Sequence, residues 1–405
     1  MNSNYDIIIV GGGAAGFFTA INIAEKKPKL KIAILERGKE VLTKVKISGG
    51  GRCNVTHACF VPNELVKNYP RGEKELKGPF NTFCSGDTVE WFEKLGVQLK
   101  IEDDGRMFPV SNSSQTIIDC FLKEVKKYGI DVLTNQSVQS VFRAETYWKI
   151  ETNVENFACQ KLILSTGSNP KIWGMLSQIN HNIIAAVPSL FTFNITDKRI
   201  KDLMGLSAMA NVKVKNSKLE AAGPLLITHW GMSGPGILKL SAWGAIELAA
   251  KKYLFAIEVN WLNDLDFEDA IETLKELKQE HAKKTVCKKA LFELPSRLWE
   301  NLVAASGIDT DTKWADLNKN QLQNLANQLT KGEFQVHGKS TFKDEFVTAG
   351  GVDLKEINFK TMESKLHKDL FFAGEIINID AITGGFNFQN AWTSGFLVAN
   401  NFVDL

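Results

Sequence analysis

Three features of the 405-residue sequence predict an α/β fold in which one domain is interrupted by an inserted β-rich segment and a small helical one. The first is an apolar, β-branched run from Asp6 to Val10 that passes at once into glycines. A helical pattern through Ala14, Phe18, Ile21 and Ala24 follows it. The second is a break in character after Pro188, where short alternating strands replace the strand–helix rhythm. The third is the return of that rhythm from Phe346, with a strand, a glycine turn, another strand and a final helix. The implied boundaries are 1–188 and 346–405 for the two parts of the first domain. A β-barrel-like insert takes 189–261 and 332–345, and a helical subdomain takes 262–331.

Along the first domain, the apolar strand Lys31 to Leu35 closes a strand–helix–strand unit that ends at Glu36. Amphipathic patterns over Ser85–Gly96 and Gln115–Gly129 each end in glycine, as helix C-termini prefer. Strands are expected over Asp131–Leu133, Ser137–Arg143, Tyr147–Thr152 and Lys161–Ser165, the last leading into Thr166-Gly167. In the insert, Leu190–Ile195, Ala210–Val214 and Phe255–Val259 read as strands, with little helix between them. Phe267, Ile271, Leu274 and Leu277 then fall at helical spacing behind Asp264 and Asp266. Leu298/Leu302 and Leu322/Leu325/Leu329 repeat that spacing.

Composition excludes several classes. With 44% hydrophobic and 23% charged residues the chain is an ordinary globular one. A balance of 48 Lys plus Arg against 46 Asp plus Glu gives a net charge of +2, so no global field favours nucleic acid or an anionic membrane. The six cysteines show neither CxxC nor a paired metal spacing, and the histidines show none either, so no metal site is expected. Reduced thiols and the lack of a basic segment before the short first apolar run point to a cytoplasmic protein without a membrane span.

Gly11, Gly13 and Gly16, enclosing Ala14 and Ala15, carry the spacing of a Rossmann dinucleotide turn. The first glycine permits the turn, the second lets a diphosphate approach the backbone, and the third lets helix and strand pack closely. The pattern alone is weak. Here it follows a strand, opens a helix with free amides, and precedes Glu36 by about 20 residues, the spacing of an acid that binds ribose hydroxyls. Arg37 and Val138 join it as expected cofactor contacts. Leu162 to Gly167 resembles the strand-then-ATG element of FAD domains of the glutathione-reductase type, which places Thr166 and Gly167 at the cofactor. Leu370 to Glu375 resembles the late flavoprotein motif whose acid meets ribitol and phosphates, hence Gly374 and Glu375. Gly384, Gly385, Phe386 and Asn387 open the last helix, whose amide-rich end would face the flavin ring edge. The loop Ser48, Gly49, Gly50, Gly51, Arg52, Cys53, Asn54 combines backbone freedom with a charge and an amide, and it is expected to touch the cofactor. Cys53 reads as a partly buried cysteine rather than a redox thiol, since Cys59 lies six positions on, outside disulfide-reductase spacing.

The chain resembles the BaiN/YhiN-like family of FAD-dependent oxidoreductases, some of them linked to NAD(P). The stretches that carry the resemblance are Lys46 to Thr56, Gly105 to Pro109, Thr228 to Pro235, Val347 to Val352, Thr361 to Lys365 and Gly374 to Gly395. His57, Ser168 and Ala381 depart from its pattern. The resemblance implies a FAD domain interrupted by a β-barrel and a helical domain. It also implies hydride transfer through FAD to or from a small molecule. With one glycine fingerprint, NAD(P)H would serve only as a transient co-substrate. His229, between Thr228 and the Gly231–Pro235 turn, is the candidate catalytic residue. A flavin-containing nucleic-acid modification or regulatory protein is the alternative, against which stands the interleaving of lysines with acids.

Overall fold

The computed structural model describes residues 3–263, 265–340 and 347–402; Asp264 and the boundary expected at 345/346 fall outside them. The chain divides into two compact units, 1–187 with 343–405, and 188–342.

The first unit is built on a parallel sheet. Strand β1 (Ser3–Val10) lies between β2 (Ile32–Leu35) and β4 (Asn156–Leu164), with β3 (Asp131–Leu133) beyond β2 and β5 (Leu370–Phe372) beyond β4. All of these pairs are parallel, so the strands are covered on both faces and read as unbroken apolar runs such as Ile7–Val10 and Leu162–Leu164. Each fully buried Ile or Leu contributes about 1.5–3 kcal/mol of transfer free energy. A hairpin, Val138–Arg143 with Trp148–Thr152, pairs antiparallel onto the start of β4. Over the sheet, helix α1 (Ala14–Lys26) packs on helix α2 (Phe386–Asn400). A Cβ on Gly395 would lie 2.6 Å from Thr19 Oγ1, so glycine there sets how closely these helices approach. The chain's beginning and end therefore share one core.

The second unit is an antiparallel sheet of seven strands. Its order is 332–336, 255–260, 207–214, 220–227, 231–233, 192–194, 338–340. The two outer strands are one continuous run of chain. Residues 332–336 pair with 255–260 at one end while 338–340 pair with 192–194 at the other, so the sheet closes on itself. Closure leaves no open edge. Three helices, Phe267–Glu280, Ser296–Ala305 and Lys319–Thr330, pack around buried Trp299 and Trp314. The expectation of little helix between 189 and 260 is corrected, because Pro235–Trp243 and Ala245–Ala250 are helical. Pro235 stands at the first turn, where a missing amide costs nothing, behind Gly234 with φ +90°. The run that follows is too uniformly apolar to show a helical period.

Among the described residues no helix is long and apolar enough to cross a membrane, and no group of three or more His, Cys, Asp or Glu could hold a metal ion.

Candidate cofactor site

The glycine turn between β1 and α1 lies against the end of β4. Gly11 has φ +117°, and a Cβ there would stand 2.4 Å from Ser165 O. A Cβ on Gly16 would stand 2.1 Å from Gly11 O. Around Gly13, by contrast, nothing lies within 4 Å of an added Cβ. Two of the glycines are thus required by packing and the middle one borders open space. Gly13 caps α1 without any side-chain cap, and the first turn carries no acid, so its amides face that space unpaired by carboxylate.

Glu36 is fixed at the end of β2 by two backbone donors, Gly12 N at 2.9 Å and Gly38 N at 2.7 Å. It lines a cavity together with Val10, Gly11, Leu35, Arg37, Val138, Thr166 and Ile172. The five expected residues Gly11, Glu36, Arg37, Val138 and Thr166 thus meet around one space. Gln136, Asn169 and Lys171 also line it and were not anticipated. Asn169 caps the helix Pro170–Gln178, and the Asn-Pro pair is the helix-start signal in sequence that could have found it. Thr166 Oγ1 is buried without a hydrogen-bond partner among the described residues. An orphaned hydroxyl and an acid at the strand end, beside a glycine whose Cβ position is open, fit the adenosine and diphosphate of a dinucleotide.

From there the expected residues continue in contact. A Cβ on Gly374 would lie 2.9 Å from Ala15 Cβ, so the Ala373-Gly374-Glu375 turn rests on the first turn of α1. Gly374 N donates to Ser394 Oγ of α2 at 2.9 Å. Glu375 pairs with Lys44 at 2.7 Å and accepts from Thr348 N at 3.2 Å. Gly167 borders this pair, its Cβ position lying 3.6 Å from Glu375 Oε2 and 4.0 Å from Lys44 Nζ.

At the other end, Gly385 (φ +93°) begins α2 with no side-chain cap and no acid in the first turn. A Cβ there would lie 2.5 Å from Thr56 O and 2.9 Å from Asn54 Oδ1. The neighbouring Gly384 has φ +131°. Trp392 Nε1 donates to Val55 O at 2.8 Å and holds α2 against this loop.

Several expected contacts are committed elsewhere. Asn387 grips the backbone of Ala381, accepting from its N–H at 3.0 Å and donating to its O at 3.2 Å. Phe386 is buried, stacked on His57 with centroids 4.6 Å apart. Arg52 pairs with Glu102 at 2.6 Å and lies over the ring of Phe108. Asn54 Oδ1 accepts from Met107 N at 3.3 Å. In the glycine loop, Ser48 Oγ donates to Val45 O, Gly49 packs against Phe108, and Gly50 is open. A Cβ on Gly51 would come no nearer than 4.0 Å to Lys46 O. Cys53 is fully buried, and burial pushes its thiol up to about 12. His229 belongs to the second unit and is exposed at the turn between 220–227 and 231–233.

The family described as HI0933-like protein Rossmann domain matches residues 5–401. The chain is similar to the ribosomal RNA dihydrouridine synthase of Escherichia coli, 28% identical over 98% of each protein. It is also similar to a 3-dehydro-bile acid delta(4,6)-reductase of Clostridium scindens, 24% identical over 96% of this chain and 97% of that one. Among solved structures, a 3-ketosteroid delta1-dehydrogenase of Sterolibacterium denitrificans covers all of this chain and is covered in full, with a TM-score of 0.51 and 11% identity. That likeness shows the shared fold, a Rossmann-type FAD-binding domain with an insert. With nearly its whole length matched and the BaiN/YhiN-type motifs in place, the chain belongs to the HI0933-like family.

Proposed function

We propose that this chain is an FAD-dependent oxidoreductase acting on a carbon–carbon double bond conjugated to a carbonyl, with NADH or NADPH as a transiently bound donor. The observation that carries the reading is the run of contacts from the Glu36–Thr166 cavity, through Gly11–Gly16, to Glu375. Bound FAD supplies the hydride chemistry. Glu36 and Thr166 would hold the adenosine, the amides of α1 the diphosphate, and Glu375 the ribityl end. The uncapped start of α2 at Gly385 would favour negative charge beside it. Among Gly384–Asn387 that role falls to backbone amides, because Asn387 is committed to Ala381. His229 is proposed to meet the substrate.

The substrate class rests on the relatives. A dihydrouridine differs from uridine by two hydrogens across a double bond next to a carbonyl. The steroid reductase is named for double bonds in line with a 3-oxo group. One observation favours a second reading, in which the substrate is a uridine in RNA: the E. coli relative aligns across 98% of both chains. The expectation of no nucleic-acid partner is not carried forward.

The test is to release the cofactor from purified protein, then to follow flavin absorbance anaerobically with NADH and NADPH separately. The reduced protein is next offered a 3-oxo-4-ene steroid or an unmodified rRNA transcript. FAD release, bleaching by a nicotinamide and reoxidation by either acceptor support the reading. Finding FMN, or a colourless protein that FAD does not reconstitute, refutes it. Replacing His229 by Ala should alter turnover more than FAD content; unchanged kinetics with every working acceptor would leave the turn with a structural role.

A further inference from the structure

We propose that Lys44 is the counter-ion that lets the Glu375 carboxylate stand beside a diphosphate. The inference rests on the FAD reading above and concerns a residue that the sequence motifs do not reach. Lys44 is carried on the helical turn that opens the segment Thr43–Gly51, before its backbone leaves the helix at Ser48, and that turn begins where Leu42 N donates to Gly12 O at 2.8 Å, inside the glycine turn. Its ammonium reaches Glu375 Oε2 at 2.7 Å, across the position where a Cβ on Gly167 would come within 4.0 Å of it. The Glu375 turn in turn rests on Ala15, the second residue of α1 and two positions after the open Gly13. Lys44 therefore brings a cation to the region where three other features meet: the free amides of α1, the open Gly13 face and an acid.

That acid is the difficulty Lys44 resolves. A carboxylate next to a dianionic diphosphate is a like-charge contact, and at separations of a few ångströms in a partly shielded cleft such contacts are strongly unfavourable. A lysine already held by Glu375 removes the repulsion and adds attraction for the phosphates, with no acid in the first turn of α1 to compete. A second feature at the same place also points to a ligand. Thr348, whose amide donates to Glu375, has a buried hydroxyl without a hydrogen-bond partner among the described residues. The Lys44 side chain is itself largely exposed, so its pairing with Glu375 alone does little to hold the fold. Its weight falls on the ligand.

The experiment is a double-mutant cycle on the full chain stripped of FAD, with FAD affinity read by quenching of flavin fluorescence and stability read by thermal melting. Lys44→Met should weaken FAD by about three- to tenfold and flatten the dependence of affinity on salt, while leaving the melting temperature of the FAD-free protein unchanged. Lys44→Met should cost less affinity in a Glu375→Gln background than in the wild type, because the uncompensated carboxylate is gone. If wild-type protein binds FAD and Lys44→Met binds it equally well, the proposal is overturned. It is also overturned if Lys44→Met costs as much affinity in the Glu375→Gln background as in the wild type, since Lys44 would then act without regard to Glu375. Failure of wild-type protein to bind FAD would instead strike the reading on which the proposal rests.

Discussion

His181 Nδ1 lies 2.7 Å from Oε2 of Glu356, with the imidazole almost wholly buried. On its other side Nε2 lies within hydrogen-bond distance of Ser364 Oγ, at 3.1 Å, and that oxygen accepts from the amides of Leu366 and His367. Both ring nitrogens are thus partnered, with His367 5.6 Å away. Burial lowers its proton affinity below the ordinary histidine value, outweighing the opposite pull of Glu356, and His367 lowers it further. Above both pKa values neither the folded nor the unfolded ring is charged. As pH falls below about 6.5, the unfolded ring takes up its proton first and stability is lost. Melting temperature should therefore decline from pH 7 to pH 5, and His181→Gln should show less of that slope. The variant should also cost about 1–3 kcal/mol at neutral pH through its unpaired neighbours. An identical slope in variant and wild type would place the acid sensitivity elsewhere.

Gly13 and Gly16 look alike in sequence but should fail in different ways. Gly16→Ala drives a Cβ to 2.1 Å from Gly11 O and should destabilise the fold by about 1–3 kcal/mol or more. Gly13→Ala meets nothing within 4 Å and should melt like wild type while losing FAD affinity. Circular dichroism melts paired with FAD titration separate the two. Equal melting losses would contradict the assignment of open space at Gly13.

Removing the Glu36 carboxylate should weaken FAD by roughly tenfold to a hundredfold, the equivalent of about 1.5–3 kcal/mol for charge-assisted hydrogen bonds. Glu36 also ties Gly12 to Gly38, so Glu36→Gln, which keeps one acceptor, should lose less than Glu36→Ala. Equal affinity of Glu36→Ala and wild type on titration would remove Glu36 from the ribose.

Cys53 should be chemically silent. Its thiol is fully buried and pushed up to about 12 by burial, so little thiolate exists at pH 8. Native-state labelling with a thiol reagent should modify Cys59 and Cys84, which are partly exposed, before Cys53. Early labelling of Cys53 would show that the loop opens.

The Rossmann half of the fold was legible because its signals are local. The apolar run ending at Val10, the glycines at 11, 13 and 16, and the acid at 36 each have a strand-end or turn reason that depends on neighbours in sequence. The helices at 267–280, 296–305 and 319–330 showed their period in the leucines. What stayed hidden depends on distant partners. Lys44 has no mark in sequence to distinguish it from other lysines; its meeting with Glu375 is made by folding across 331 positions. Arg52 meets Glu102 and Asn54 meets Met107 through a small sheet whose pairing sequence does not display. The strand 220–227 was missed because Gly223 and Pro224 interrupt its alternation.

The run 332–340 has a consequence for the order in which the protein can be made. Because one stretch of chain supplies both seam strands of the second sheet, that sheet cannot close until residue 340 has left the ribosome. The parallel sheet of the first unit waits longer still, since β5 joins β4 only when residues 370–372 emerge. The nested segment can thus reach its native pairing while the host around it is still unfinished. During synthesis β4 must remain without its last neighbour for about 200 residues, some tens of seconds at ordinary elongation rates. A nascent chain arrested before residue 370 should accordingly protect the insert from protease and leave the first 187 residues open to it.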